Sequence, residues 1–281
     1  MLGIILSAKI PPYFDQLIAG FHEGVTGRFV HLGHWDDPAN VDPDSSPDDF
    51  ERAQSRLNEI MLDMAELKNG QNILDAGCGF GGTLEVINER FRNMHLTGCN
   101  IDPRQLDICR QIRATNDNSL QWLDADACRL PLPDASMDRI FCIEAMFHFP
   151  SRRRFFTECA RVLRQGGILV ASDILLTQVA EKDGGMSVTD IVSAIRAGFG
   201  PWPDPWNTDG DCDELGRAAG LWCTAQVDAT LNTRRSHFYT APRDTEIHEP
   251  LDDSMHYATT VLKWLHEGDR LRYLYLRFVK P

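Results

Sequence analysis

Three glycines, at 77, 79 and 82, follow the apolar run Ile73–Leu74 and Asp75, and a helical spacing begins at Thr83. A strand, a glycine turn and a helix start in that order let a backbone come close to a ligand and aim a helix N-terminus at it. Asp75 decides the kind of ligand. A diphosphate held over this turn meets a carboxylate of like charge, whereas an ammonium or sulfonium gains from it. That preference points to S-adenosylmethionine, which is cationic along its methionine arm and carries no phosphate. The competing reading is that Asp75 only caps the turn through backbone amides. About twenty residues on, where a ribose-binding acid is expected, stands Asn100, whose amide can accept from one hydroxyl and donate to the other. Asp102 is beside it. Beyond the next apolar run, Asp126 can accept from an adenine amine while the following backbone N–H, of Ala127, donates to a ring nitrogen. Asp124 is read as the solvated acid of the pair.

These residues need elements to hold them. Residues 36–49, rich in Asp, Pro and Ser, read as an exposed loop. Leu57, Ile60, Met61, Met64 and Leu67 have helical spacing over 50–68, ended by Asn69–Gly70. Strands are expected at 71–76, 95–99, 120–123, 139–143 and 168–172, with helices at 83–91, 105–114 and 153–163 between them. This alternation predicts an α/β fold with a mainly parallel sheet covered on both faces. Further on, helices are expected at 187–197, 214–219 and 252–266, and strands at 221–227 and 271–279. Residues 198–213 and 231–251 read as long irregular stretches, the first as a closing lid. One domain over 1–281 is expected, with an N-terminal arm (1–69), a cofactor-binding half (70–177), cap insertions (178–213 and 231–268) and a final strand (271–279).

The segments 74–82, 98–106, 124–148 and 160–174, taken together, resemble class I S-adenosylmethionine-dependent methyltransferases. The closest likeness is to their small-molecule branch, which includes sterol, tocopherol and natural-product enzymes. His31-Leu-Gly-His-Trp35 is similar to that branch's N-terminal arm, with His34 where an aromatic residue is usual. The resemblance implies a doubly wound, Rossmann-like seven-stranded sheet with its last strand antiparallel. It also implies cofactor contacts at Asp75, Gly77, Cys78, Gly79, Asn100, Ile101, Gln105, Asp126 and Ala127.

Methyl transfer needs in-line attack in a dry site, and a base only when the nucleophile arrives protonated. His148, at the end of the fourth strand, is the candidate base. Glu144 and Asp173 could orient or replace it. Substrate or lid contacts are expected at His31, Trp35, Phe147, Trp202 and Trp206. With Phe199, Phe238 and Tyr239 these could wall an apolar chamber, and Arg234–Arg235 could meet an anionic substituent. His237, His248 and His256 have no metal-ligand spacing, so no metal is expected. The reading is therefore methyl transfer to C, O or N of a small, partly apolar metabolite. The same fold used for cyclisation or as a partner subunit, and an NAD(P)-dependent oxidoreductase, are the alternatives.

Composition narrows the classes further. The 281 residues carry 28 Lys and Arg against 41 Asp and Glu, a net charge of −13, which repels nucleic acid and anionic membranes. Arg152–Arg154 is the one basic triplet, read as a solvated helix face. Eight cysteines without a CxxC pair suit a reduced compartment and bury as small hydrophobes, as at Cys99, Cys142 and Cys223. The apolar residues 1–6 have no basic segment before them, and no run reaches membrane-spanning length. A soluble cytoplasmic protein is expected, with a homodimer allowed.

Overall fold

Alternation of side chains across each strand sorts the central residues onto two faces, and two apolar layers follow from it. The computed structural model describes residues 10–39, 46–177, 182–183, 186–208, 210–241 and 254–281. The parallel strands are β1 (Asn72–Ala76), β2 (His95–Asn100), β3 (Ser119–Asp124), β4 (Met137–Cys142) and β5 (Leu163–Leu176). A small ribbon pairs β6 (Lys182–Asp183) with β7 (Met186–Ser187). The strands β8 (Trp222–Asp228) and β9 (Leu271–Val279) complete a seven-stranded sheet of order β3-β2-β1-β4-β5-β9-β8. Only β9 runs against its neighbours. This is the doubly wound, Rossmann-like sheet with an antiparallel last strand that the resemblance implies.

The helices are α1 (Tyr13–His22), α2 (Pro47–Ala65), α3 (Gly82–Arg90), α4 (Pro103–Cys109), α5 (Arg152–Val162), α6 (Val188–Phe199), α7 (Cys212–Ala218), α8 (Thr230–Arg234), α9 (His237–Thr240) and α10 (Ser254–Glu267). Ile73, Phe141 and Val170 pack with Leu57 and Met61 of α2, Ile87 of α3 and residues of α6 and α10. Leu74, Ile140 and Leu169 face the other way, onto Phe155, Phe156 and Cys159 of α5. Odd and even positions of one strand thus serve opposite layers.

Several boundaries differ from those read in the sequence. Helix α2 starts inside the expected loop, because Ser46 and Asp49 form a reciprocal capping box and Pro47 fits the first helical position. It ends at Ala65, with Glu66 left-handed at φ 51°, four residues before Gly70. Helix α4 is shorter than expected and begins at Pro103, where Asp102 accepts from the Arg104 N–H. Residues 231–240, read as irregular, are largely taken up by α8 and α9; Asp228 accepts from the backbone N–H of Thr230 and supports that start. Part of each expected insertion, and residues 1–6, lie outside the described residues. All eight cysteines are free, with Cys99 and Cys142 buried as expected and Cys223 half-buried. No described helix is long and apolar enough to cross a membrane.

Candidate active site

In a doubly wound sheet the strand order reverses between two neighbouring strands, and the helices leaving them diverge to open a crevice at their carboxyl ends. Here the reversal falls between β1 and β4. A cavity of roughly 290 Å³ opens there.

The glycine turn forms its floor. Gly77, Gly79 and Gly81 all have positive φ, at 82°, 51° and 82°, a region closed to most side chains. The N–H groups of Gly77 and Cys78 both donate to the Cys99 carbonyl, at 2.8 and 3.0 Å, and fasten the turn to β2. A Cβ on Gly77 would lie 2.4 Å from that of Ala145. Gly77→Ala is therefore expected to weaken S-adenosylhomocysteine binding by about 5- to 150-fold, through about 1–3 kcal/mol of overpacking and strain. Calorimetry on a variant whose circular dichroism matches the parent's would check it.

Asp75 ends β1 in the same cavity, 3% exposed. Its carboxylate has no hydrogen bond or cation among the described residues, and burial pushes its pKa up to about 7. A desolvated carboxylate without a partner is costly in a folded chain unless a cation meets it. Asn100 and Gln105 are tied together: Asn100 Nδ2 donates to Gln105 Oε1 at 2.8 Å, and Asn100 Oδ1 accepts from the Asp102 N–H at 3.2 Å. The Asn100 amide is thus engaged within the chain, and the uncommitted donor of the pair is Gln105 Nε2. Asp126 Oδ1 accepts from the Cys128 N–H at 2.8 Å. Cys78, Ile101 and Ala127 line the cavity with them.

The β4 end supplies the other wall. Glu144 takes a left-handed conformation, φ 48°, which is a strained choice for a residue with a side chain. Its Oε1 accepts from the Leu32 N–H at 2.7 Å and from the Tyr273 hydroxyl at 2.6 Å, while its own N–H donates to Ser172 Oγ. Burial nevertheless pushes its carboxyl up to about 7. His148 follows on a single 3-10 turn, Met146–His148. Its Nδ1 lies 2.8 Å from the Pro201 carbonyl, which can only accept, so Nδ1 carries the proton. Nε2 is then an acceptor, and the Tyr13 hydroxyl donates to it at 3.2 Å. Burial lowers the imidazole to about 4.

Several residues expected in the site stand elsewhere. Asp173 is fully buried outside the cavity, paired to Arg152 at 2.7 and 3.0 Å. Arg152 is thereby also removed from the solvated face assigned to the triplet. Trp35 stacks on Tyr239, with ring centroids 5.7 Å apart, under the Arg235 guanidinium. Phe147 and Trp202 pack on each other in the core. Trp206 donates its indole N–H to the Thr177 carbonyl. Apolar residues near a cleft bury themselves first in the layer beneath it, and among the described residues of 198–213 only Pro201 and Pro203 reach the cavity. Arg234 pairs with Asp269. His237 meets His266 at 2.9 Å in the core, away from the cavity, and His248 lies outside the described residues.

The walls instead come from segments without a strong motif: Pro11, Tyr13, Phe14 and Leu17 at α1, and Arg28 to His31. Helix α1 is not among the elements expected from the sequence, where 1–69 reads only as an arm. Nothing in its spacing says that it closes over a sheet 60 residues later.

A family model for a methyltransferase domain matches residues 74–171. The chain is 30% identical over 205 residues to O-methyltransferase rstn1 of Aspergillus nomiae, covering 72% of this chain and 85% of that protein. It is 31% identical over 195 residues to Methyltransferase GfsG of Streptomyces halstedii, covering 69% of this chain and 64% of that one, short of two thirds of its length. Among solved structures, the geranyl diphosphate C-methyltransferase of Streptomyces coelicolor, in complex with Mg2+, geranyl diphosphate and S-adenosyl-L-homocysteine, aligns with a TM-score of 0.70 at 18% identity. That alignment covers 96% of this chain and 98% of the other, and at this identity it speaks to the fold alone.

Proposed function

Because this chain belongs to the class I S-adenosylmethionine-dependent methyltransferases, we propose that it moves a methyl group from S-adenosylmethionine to a small, partly apolar metabolite of natural-product type. One observation carries the reading: the buried, unpartnered Asp75 carboxylate at the crevice where the strand order reverses. In this reading Asp75 holds the ammonium of the methionine arm, and the turn Gly77–Cys78–Gly79 admits that arm close to the backbone. Gln105 Nε2 and the second lone pair of Asn100 Oδ1 hold the ribose. Asp126 and the Ala127 N–H read the adenine edge, with Ile101 against its face. When bound, the cofactor supplies an electrophilic methyl group; the chain's part is alignment and exclusion of water. Pro11, Phe14, Leu17, Val30, Phe149 and Pro201 line the cavity and favour an apolar acceptor.

Calorimetry tests this. S-adenosylhomocysteine is expected to bind, and NAD(P) to be refused. Uptake of a pyridine dinucleotide with no response to S-adenosylhomocysteine would sink the proposal. The cyclisation alternative predicts cofactor binding without consumption of the methyl donor, which a turnover assay separates.

The 198–213 loop bears on water exclusion. The Leu176 N–H bonds to the Pro205 carbonyl, Arg152 to the Asp204 carbonyl and Trp206 to Thr177. A loop so fastened to β5 should resist limited proteolysis even before cofactor is added, and α1 is the better candidate for the moving cover. Peptide mapping after chymotrypsin should therefore show cofactor-dependent protection around Phe21 and Phe29 and little change at Trp206.

A further inference from the structure

Resting on the methyl-transfer reading above, we infer that His31 accepts the acceptor's proton, in place of His148, and that the acceptor is an apolar alcohol or phenol.

The argument starts from which nitrogen is committed. Both ring nitrogens of His148 have partners, Pro201 on one side and the Tyr13 hydroxyl on the other. His31 differs. It lines the same cavity, is 7% exposed, and its Nδ1–H donates to the Leu32 carbonyl at 2.7 Å. That bond fixes the tautomer, so Nε2 carries the lone pair. This Nε2 is buried and has no partner among the described residues. A buried acceptor in a cleft wall, held without a donor, is satisfied by a donor on the ligand.

The backbone around His31 is held for the task. Gln54 donates to the carbonyls of Phe29 and His31, at 3.0 and 2.7 Å. Val30 packs 2.9 Å from where a Gly79 Cβ would sit, and the Leu32 N–H bonds Glu144. His31 therefore sits between a residue packed on the glycine turn and one bonded to the β4 end, in the wall of the cavity. Burial keeps the imidazole neutral down to about pH 4, so the lone pair is available throughout the neutral range.

An aligned base matters only for a nucleophile that arrives protonated. An amine attacks through a free lone pair, whereas a hydroxyl must shed its proton as it becomes an ether. The acceptor oxygen forms a bond to the methyl carbon as the S–CH3 bond breaks, and the broken bond's pair stays on sulfur. The hydroxyl proton passes to His31 Nε2, and from the imidazolium to solvent.

The test uses the full chain with 15N-labelled histidine, saturated with S-adenosylhomocysteine and titrated with 2-naphthol as the probe. The His31 Nε2 resonance, assigned by its loss in His31→Gln, is expected to shift on naphthol binding while that of His148 stays. With S-adenosylmethionine, formation of 2-methoxynaphthalene should fall about 100-fold in His31→Gln, with S-adenosylhomocysteine affinity within threefold of the parent. A shift at His148 alone, no histidine shift at all, or turnover retained within threefold would overturn the assignment. Failure of S-adenosylhomocysteine to bind the parent chain would instead overturn the reading it rests on.

Discussion

Asp75→Asn is expected to weaken S-adenosylhomocysteine binding at least 100-fold and, in the same protein, to raise thermal stability at pH 8. Both effects come from one group. The carboxylate is 3% exposed and without a cation, so as the proposed partner of the ligand's ammonium it makes a charge-assisted bond away from water. Loss of one side of such a pair costs about 3–5 kcal/mol, or a factor of about 10² to 5 × 10³ in affinity. Without ligand, the same carboxylate is a liability. Its folded pKa of about 7 lies above the ordinary value of 3.8, so the folded chain keeps a proton that the unfolded chain releases near pH 4. The stabilisation from that proton is present in full below pH 4 and is lost as pH rises through 7. Three pKa units correspond to roughly 4 kcal/mol as an upper bound, and Asn, which is never charged, escapes most of it. Melting curves of parent and variant should therefore diverge between pH 5 and 8 and converge below pH 4. Affinity for S-adenosylhomocysteine should in parallel fall as pH drops below 7, by up to tenfold per unit, because the ligand must then displace the proton. An Asn variant that binds as the parent does, or that melts lower at pH 8, would contradict the argument.

The second large effect is structural and concerns Asp173, whose sequence position suggests catalysis, and its partner Arg152. Arg152→Ala is expected to cost about 3–5 kcal/mol of stability, because it strands Asp173. The Arg152 and Asp173 side chains are 4% and 0% exposed. Arg152 also donates to the Asp204 carbonyl at 2.6 Å, and Asp173 accepts the Ile174 N–H at 3.0 Å. The pair thus clips the 198–213 loop to the junction of β5 and α5. Asp173→Leu should destabilise by a similar amount, by stranding the guanidinium. The double variant Arg152→Met/Asp173→Leu should be less destabilised than either single one, because no lone charge remains buried. Urea titrations of the three variants would show it. Strictly additive losses would mean that the two side chains contribute separately.

Local chemistry explains how much was legible beforehand. The strand and helix sequence from 70 to 176 could be read because each element carries its own apolar period and the glycines at 77 and 79 part the first strand from its helix; the helix starts at Asp102–Pro103 and Ser151 went unread, so α4 was placed two residues late. The Asp75-Gly77-Gly79 turn and the positions of Asn100 and Asp126 were within reach because short offsets join each to the strand before it, whereas Gln105, on α4, came only from the family resemblance. Whatever the offset did not fix came out differently. Ser46 and Asp49 start α2 inside an apparent loop, since a capping box is stronger than composition. Phe147, Trp202 and Trp206 seemed to belong to the chamber by type alone, yet they pack in or against the core, where burying a large apolar side chain is worth about 1.5–3 kcal/mol, and Trp35 is taken up by Tyr239 and Arg235.

By itself the sequence determined the alternating α/β frame, the glycine turn and the lone acid at the end of its first strand, because these follow from interactions within a few residues. Only the tertiary structure decided that α1 and residues 28–31 close the cavity, that Asp173 is spent on Arg152, and that His148 is satisfied while His31 Nε2 is not. Those facts depend on which groups meet across 20 to 240 residues of chain, as Tyr273 does with Glu144. A hydrogen-bonding group's availability is set by such distant partners, and spacing along the chain carries no record of them.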